Sequence, residues 1–178
     1  MNGDFRRERI LEMIRAQQLP LSATNLAQTL NVSRQVIVGD VALLRSQGCE
    51  IIATARGYVI PRFKETGQYL GKIACQHTPK KMTDELYTIV DSGAVVVNVI
   101  VEHELYGEIT GCLNLMSRDD IDLFSEKVKS SKDRLLSELT MGIHLHTVAC
   151  RDNDHFQQVC QELELKGFLL QGVDKNIM

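Results

Sequence analysis

The chain has 178 residues, 44% hydrophobic but only 5% aromatic and without Trp, which allows one large domain or two small ones with aliphatic cores. No stretch approaches the ~18 apolar residues of a membrane span, "MNGDFRRERI" leads into no signal-like apolar region, and the scattered Cys49, Cys75, Cys112, Cys150 and Cys160 form no C-x-x-C pair, so a reducing cytoplasm is expected rather than a disulfide framework or zinc ribbon. The net charge of −3 is divided unevenly: residues 1–62 hold eight Arg, no Lys and five acids (net +3), and residues 63–178 hold twelve Lys and Arg against eighteen acids (net −6), so only the first part can approach a polyanion without repulsion.

"FRRERILEMIRAQQ" reads as an amphipathic helix with Ile10, Leu11 and Ile14 on one stripe and arginines on the other. Two helices joined by a tight turn follow. Ser22 caps the first, which buries Leu26, Ala27 and Leu30, and Val32 plugs the turn. Ser33 caps the second, whose inner face is Val36, Ile37, Val41 and Leu44, and Gly48 ends it. "CEIIATARGYVI" then gives a short strand, a turn around Arg56 and Gly57, and a strand from Tyr58 to Ile60. These elements make a winged helix-turn-helix, whose third helix is expected in the major groove of DNA. Arg34, Gln35 and Val38 lie off the buried stripe and are the candidate base readers; Thr24, Ser33 and Arg56 are placed for phosphates or, at the wing, the minor groove. The same trihelical fold can also serve protein contacts alone.

The run "LAQTLNVSRQVIVGDVALLRSQGCEIIATARGYVI" resembles the winged helix-turn-helix of biotin-ligase-type repressors and of a family of niacin-responsive repressors. One departure stands out. Relatives usually carry a basic residue just before the helix Asp, where this chain has Gly39. That removes an expected phosphate contact and costs the helix about 1 kcal/mol relative to Ala.

A linker is expected within residues 59–69, "VIPRFKETGQY". Then "GKIACQH" alternates as a strand ending at His77, and Pro79 opens a helix through "PKKMTDELYTIVDSG" with Met82, Leu86 and Ile89 inward and Gly93 as terminator. "AVVVNVIVEHELYGEITGCLNL" reads as two strands broken near residues 104–107. "SRDDIDLFSEKVKSSKDRLLSELT" reads as one long helix capped by Ser117. "GIHLHTVACR" is a strand, "DNDHFQQVCQELELKG" a helix with His155 at the surface, and "FLLQG" a last short strand. The expected class is α+β: the winged domain, residues 1–62, followed by an α/β sandwich, residues 63–178, with helices packed on a sheet.

Strand alternation points His144 and His146 the same way. A wet sheet face or a pair of metal ligands would each account for them. His77 at a strand end and Glu85 about two turns along the next helix could converge on them, although each also fits an ordinary polar position. Three imidazoles and a carboxylate would suit zinc, nickel or iron, with binding weakening below roughly pH 6 as the imidazoles protonate. Cys75 shares the face of His77 by parity; the other cysteines read as small core residues. His103 and Tyr106 either turn one strand into the next or hydrogen-bond to a metal ligand or effector.

Residues 71–172 resemble the three-histidine domain of the niacin-responsive repressors through "QHTPKKMTDELYTIVDSG", "VIVEHELYGEI" and "GIHLHTV". The resemblance implies that His77, Glu85, His144 and His146 are metal ligands and that nicotinic acid is a corepressor. The expected protein is therefore a non-enzymatic, homodimeric repressor of niacin uptake or NAD-precursor synthesis genes, binding double-stranded operator DNA, nicotinic acid and a divalent metal (Ni, Zn or Fe), and no membrane. Two rivals are a repressor for which the metal alone is the signal, and a metal-dependent hydrolase fused to a winged domain, for which no general base and nucleophile are legible.

Overall fold

A computed structural model describes residues 2–60 and 68–170. The chain divides into two compact units, Met1–Lys64 and Glu65–Met178. The expected linker lies largely outside the described residues.

In the first unit, helix α1 (Gly3–Ala16) buries Ile10 and Ile14. Helix α2 (Ala23–Leu30) starts at Ser22, whose hydroxyl accepts from the Asn25 amide, and stops at Asn31 in the left-handed conformation. Helix α3 (Arg34–Ser46) is capped in the same way by Ser33 and buries Ile37, Asp40, Val41 and Leu44. Val36, expected inside, is exposed. The covered apolar stripe runs through Ile37, Val41 and Leu44, and Val36 lies one residue off it. Asp40 is buried because α1 supplies its partners: Arg6 Nε donates at 2.5 Å and Arg7 Nη1 at 3.4 Å. Strands β1 (Ile52–Thr54) and β2 (Gly57–Val59) pair antiparallel as the wing, one residue earlier than expected for β2.

The second unit is a four-stranded antiparallel sheet of β3 (Tyr69–Gln76), β4 (Val95–His103), β5 (Gly107–Leu115) and β6 (Ile143–Cys150), in the order β3-β6-β4-β5. Helices α4 (Met82–Asp91), α5 (Arg118–Ser130) and α6 (Asn153–Leu165) close over one face through a core that includes Ile73, Leu86, Ile89, Val96, Leu115, Ile121, Val148 and Val159. Pro79 opens a 3-10 turn, Pro79–Lys81, that leads into α4. Ser117 and Asp120 form a reciprocal capping box at the start of α5.

Two expectations fail here. The long helix stops at Ser130 and resumes only as a 3-10 segment, Leu136–Thr140. Ser131 turns extended and its hydroxyl accepts from the Asp133 amide at 2.9 Å, a local bond that competes with the helical one. His155 is buried, not at the surface. It opens the inward stripe of α6 that continues through Val159 and Leu163, with its Nε2 2.7 Å from the Ser92 carbonyl and its Nδ1 accepting from the Arg151 amide. The final strand is described to Leu170 and reduces to an isolated bridge between Leu169 and Cys75.

Glycine packing yields a paired prediction. A Cβ on Gly71 would lie 2.2 Å from the Phe156 ring, whereas one on Gly39 meets nothing within 4 Å. Denaturant unfolding should show Gly71→Ala destabilising the second unit by about 1–3 kcal/mol and Gly39→Ala stabilising the first by about 1 kcal/mol.

Candidate metal centre and nucleic-acid interface

Glu85, in the first turn of α4, is 1% exposed and faces three imidazoles. Its Oε2 lies 2.6 Å from His77 Nε2 and 3.4 Å from His146 Nε2, and its Oε1 lies 3.2 Å from His144 Nε2. The rings stand edge to face, with centroids 4.9 Å apart for His77 and His144 and 4.8 Å for His144 and His146. The structure thus brings together His77 from the end of β3, Glu85 from α4, and His144 and His146 from alternate positions of β6.

The outer nitrogens fix the rings. His77 Nδ1 donates to the Thr78 carbonyl at 2.8 Å, His144 Nδ1 to the Gly142 carbonyl at 2.8 Å, and His146 Nδ1 to the Asn98 carbonyl at 2.7 Å. A carbonyl only accepts, so each Nδ1 donates and each ring presents its Nε2 to Glu85. Lone pairs and a carboxylate crowded together require a proton or a cation among them. For His77, burial opposes the charged form, but the hydrogen bond and charge of Glu85 outweigh it and raise the pKa. For Glu85, burial opposes ionisation, yet the three histidines hold its pKa well below the usual carboxylate range. Nitrogen and oxygen donors in this pattern fit a divalent transition metal, and the bonds to carbonyls are the outer-shell supports that orient metal-binding imidazoles.

Three supporting residues escaped sequence reasoning. Gly142 accepts from both His144 Nδ1 and the His77 amide, the latter at 3.4 Å. Its φ of +88° is one that side chains disfavour, and a Cβ there would lie 2.3 Å from the His77 carbonyl oxygen. Asn98 follows a bulge between Val96 and Asn98 in β4, which aims its carbonyl at His146 while its side chain accepts from the Thr147 amide. Thr78 contributes only its carbonyl. The available signals were a glycine just before the His-x-His strand and a lone polar residue in the run "VVVNVIV". Cys75 stands across from His144 in the β3–β6 pairing and is fully buried, and burial and Glu85 both push its thiol pKa up.

His103 and Tyr106 sit at the β4–β5 hairpin. His103 Nδ1 accepts from the Leu105 and Tyr106 amides, and the two rings lie 5.2 Å apart. In the first unit Thr24, Arg34 and Gln35 are exposed and Val38 and Arg56 are half-buried. Ser33 is exposed and spends its hydroxyl on the Val36 amide. Thr54 shapes the wing turn by accepting from the Arg56 amide and donating to the Gly57 carbonyl.

A winged helix-turn-helix carried with a second domain is an architecture found among DNA-binding transcription regulators. Residues 6–59 match the HTH domain family and residues 71–172 the 3H domain family. The chain is 39% identical over 170 residues to the transcription repressor NadR of Bacillus subtilis, covering 94% of both chains. It is 39% identical over 169 residues to the probable transcription repressor NiaR of Thermotoga maritima, covering 93% of this chain and 95% of that one. The chain belongs to the niacin-responsive transcription repressor family. No helix among the described residues is long and apolar enough to cross a membrane.

Two predictions follow from the centre. In chelator-treated protein, the stability difference between wild type and Glu85→Gln should be largest between about pH 4.3 and 6.5. The depressed Glu85 pKa adds stability that is lost as pH falls through the carboxylate range, and the raised His77 pKa adds stability that is lost as pH rises through its folded value. Urea midpoints across pH 3–8 read this directly, and a flat difference would uncouple the two groups. Gly142→Ala should lower affinity for zinc or nickel about 10–100-fold, the usual effect of losing an outer-shell support, measured by competition with a chromophoric chelator.

Proposed function

We propose that this protein represses genes of niacin uptake or NAD-precursor synthesis in the cytoplasm by binding operator DNA as a homodimer, with nicotinic acid as corepressor beside a divalent metal. Residues 1–62 bind DNA, and residues 63–178 bind metal and effector and carry the dimer contacts through apolar strands. His77, Glu85, His144 and His146 would hold the ion, which would be nickel, zinc or iron. The observation that carries this reading is the convergence of three Nε2 atoms on the Glu85 carboxylate with every Nδ1 tied to a carbonyl. When bound, the ion supplies a Lewis-acid position suited to a pyridine nitrogen or a carboxylate. His103 and Tyr106 lie on the adjoining hairpin as candidate effector contacts.

On the DNA side, Arg34, Gln35 and Val38 read base edges from α3, while Thr24, Ser33 and Arg56 contact phosphates or the minor groove. Gly39 contributes no phosphate contact, which lowers the sequence-independent part of the affinity. Nicotinic acid must bind the DNA-competent arrangement more tightly, and a coupling of about 1–3 kcal/mol raises operator affinity about 5- to 150-fold.

The test is an anisotropy titration on operator DNA at fixed salt with protein of known metal content, with and without nicotinic acid. Wild type should tighten with the vitamin. His146→Ala should keep weak, salt-sensitive binding and lose the response. Arg34→Ala should lose about 1–3 kcal/mol on operator DNA and less on random DNA. Full tightening by metal alone, with no further effect of nicotinic acid, would make the ion the signal.

A further inference from the structure

The metal centre has a neighbour that the four nitrogen and oxygen donors do not account for. Cys75 is fully buried and stands directly across from His144. The ligating atoms of Cys75, Glu85 and His144 all lie within 4.8 Å of one another. Donors on one tetrahedral zinc ion, with bonds of about 2.0–2.3 Å, are themselves about 3.3–3.8 Å apart. The sulfur is therefore within a small side-chain adjustment of sharing an ion with Glu85 and His144. The strand holds it there: the Gln76 amide bonds to the Phe168 carbonyl and the Leu170 amide to the Ala74 carbonyl, so the segment after α6 closes over this end of β3.

We infer that Cys75 is a sulfur donor at this centre and sets its metal preference. The inference rests on the proposed function in one respect, that the histidine cluster takes up a divalent ion. A site of three imidazoles and one carboxylate accepts many first-row ions with little discrimination beyond their general order of affinity. A thiolate changes that. It favours zinc, cobalt and cadmium and disfavours manganese and magnesium, which prefer oxygen. A thiophilic ion takes the Cys75–Glu85–His144 side of the cluster, whereas a harder ion is left with the nitrogen and oxygen donors alone. Forming the sulfur–metal bond breaks the S–H bond, and its proton leaves to solvent. Uptake of a thiophilic ion by the wild type therefore releases one proton more than uptake by a variant without the thiol.

The experiment uses the full-length protein, freed of metal with chelator and titrated with Co(II), Zn(II) and Mn(II), for wild type, Cys75→Ser and Cys75→Ala. Circular dichroism establishes that each variant is folded, and the two variants guard against one failing to fold. The wild type should show a sulfur-to-cobalt charge-transfer band in the near ultraviolet. Both variants should lack the band while keeping visible cobalt absorption from the remaining donors. Zinc affinity should fall at least tenfold in each variant and manganese affinity should change less than twofold. Calorimetry in buffers of different ionisation enthalpy should count one fewer proton released on zinc uptake. A wild type that takes up cobalt without the sulfur band, or variants that match it in band and zinc affinity, would overturn the role of Cys75 and leave the histidine centre standing. Failure of wild type to take up any of the three ions would overturn both.

Discussion

The second unit is organised around one buried carboxylate. Glu85 is enclosed in a site that disfavours charge, and its ionised state is held by the three imidazoles facing it. Burying an anion without compensation is far costlier than any single packing contact, so the partners cannot be incidental. They come from the end of β3 and two positions of β6, while the carboxylate comes from α4. The cluster therefore ties α4 to β3 and β6 beside the apolar core around Leu86 and Ile89.

The first unit solves a smaller electrostatic problem of the same kind. Asp40 is buried in α3 and taken by Arg6 and Arg7 of α1. Two arginines that look on composition like part of a DNA-facing surplus are thus spent on joining helices. The positive field offered to a phosphate backbone comes from fewer side chains than the charge count of residues 1–62 suggests.

Much of this was legible because local physics and tertiary context agree. Ser22, Ser33 and Ser117 cap the helices they precede. The β6 alternation puts His144 and His146 on one face because a strand admits no other arrangement. What was not legible depends on backbone atoms and on long-range packing. Gly142, Thr78 and Asn98 act through carbonyls, which leave little trace in side-chain chemistry. His155 follows three polar residues, yet it lies in line with Val159 and Leu163, and only the docking of α6 near Ser92 shows that the inward stripe begins one turn earlier. The break after Ser130 was hidden because the periodicity runs on, while Ser131 diverts the chain through its own hydroxyl.

The orientation of His146 is anchored on a neighbouring strand rather than on its own. Its Nδ1 donates to the carbonyl of Asn98, which a bulge in β4 turns toward it, and the Asn98 side chain holds the next amide of β6. The ring therefore acts as a gauge of how β4 is seated against β6. Successive strand residues are spaced about 3.3 Å apart, so a slip of one position would withdraw the carbonyl and let the imidazole swing. The hairpin that continues β4 ends in a turn where Tyr106 is 72% exposed. One strand thus joins the solvent-facing tip to the backbone carbonyl that orients His146.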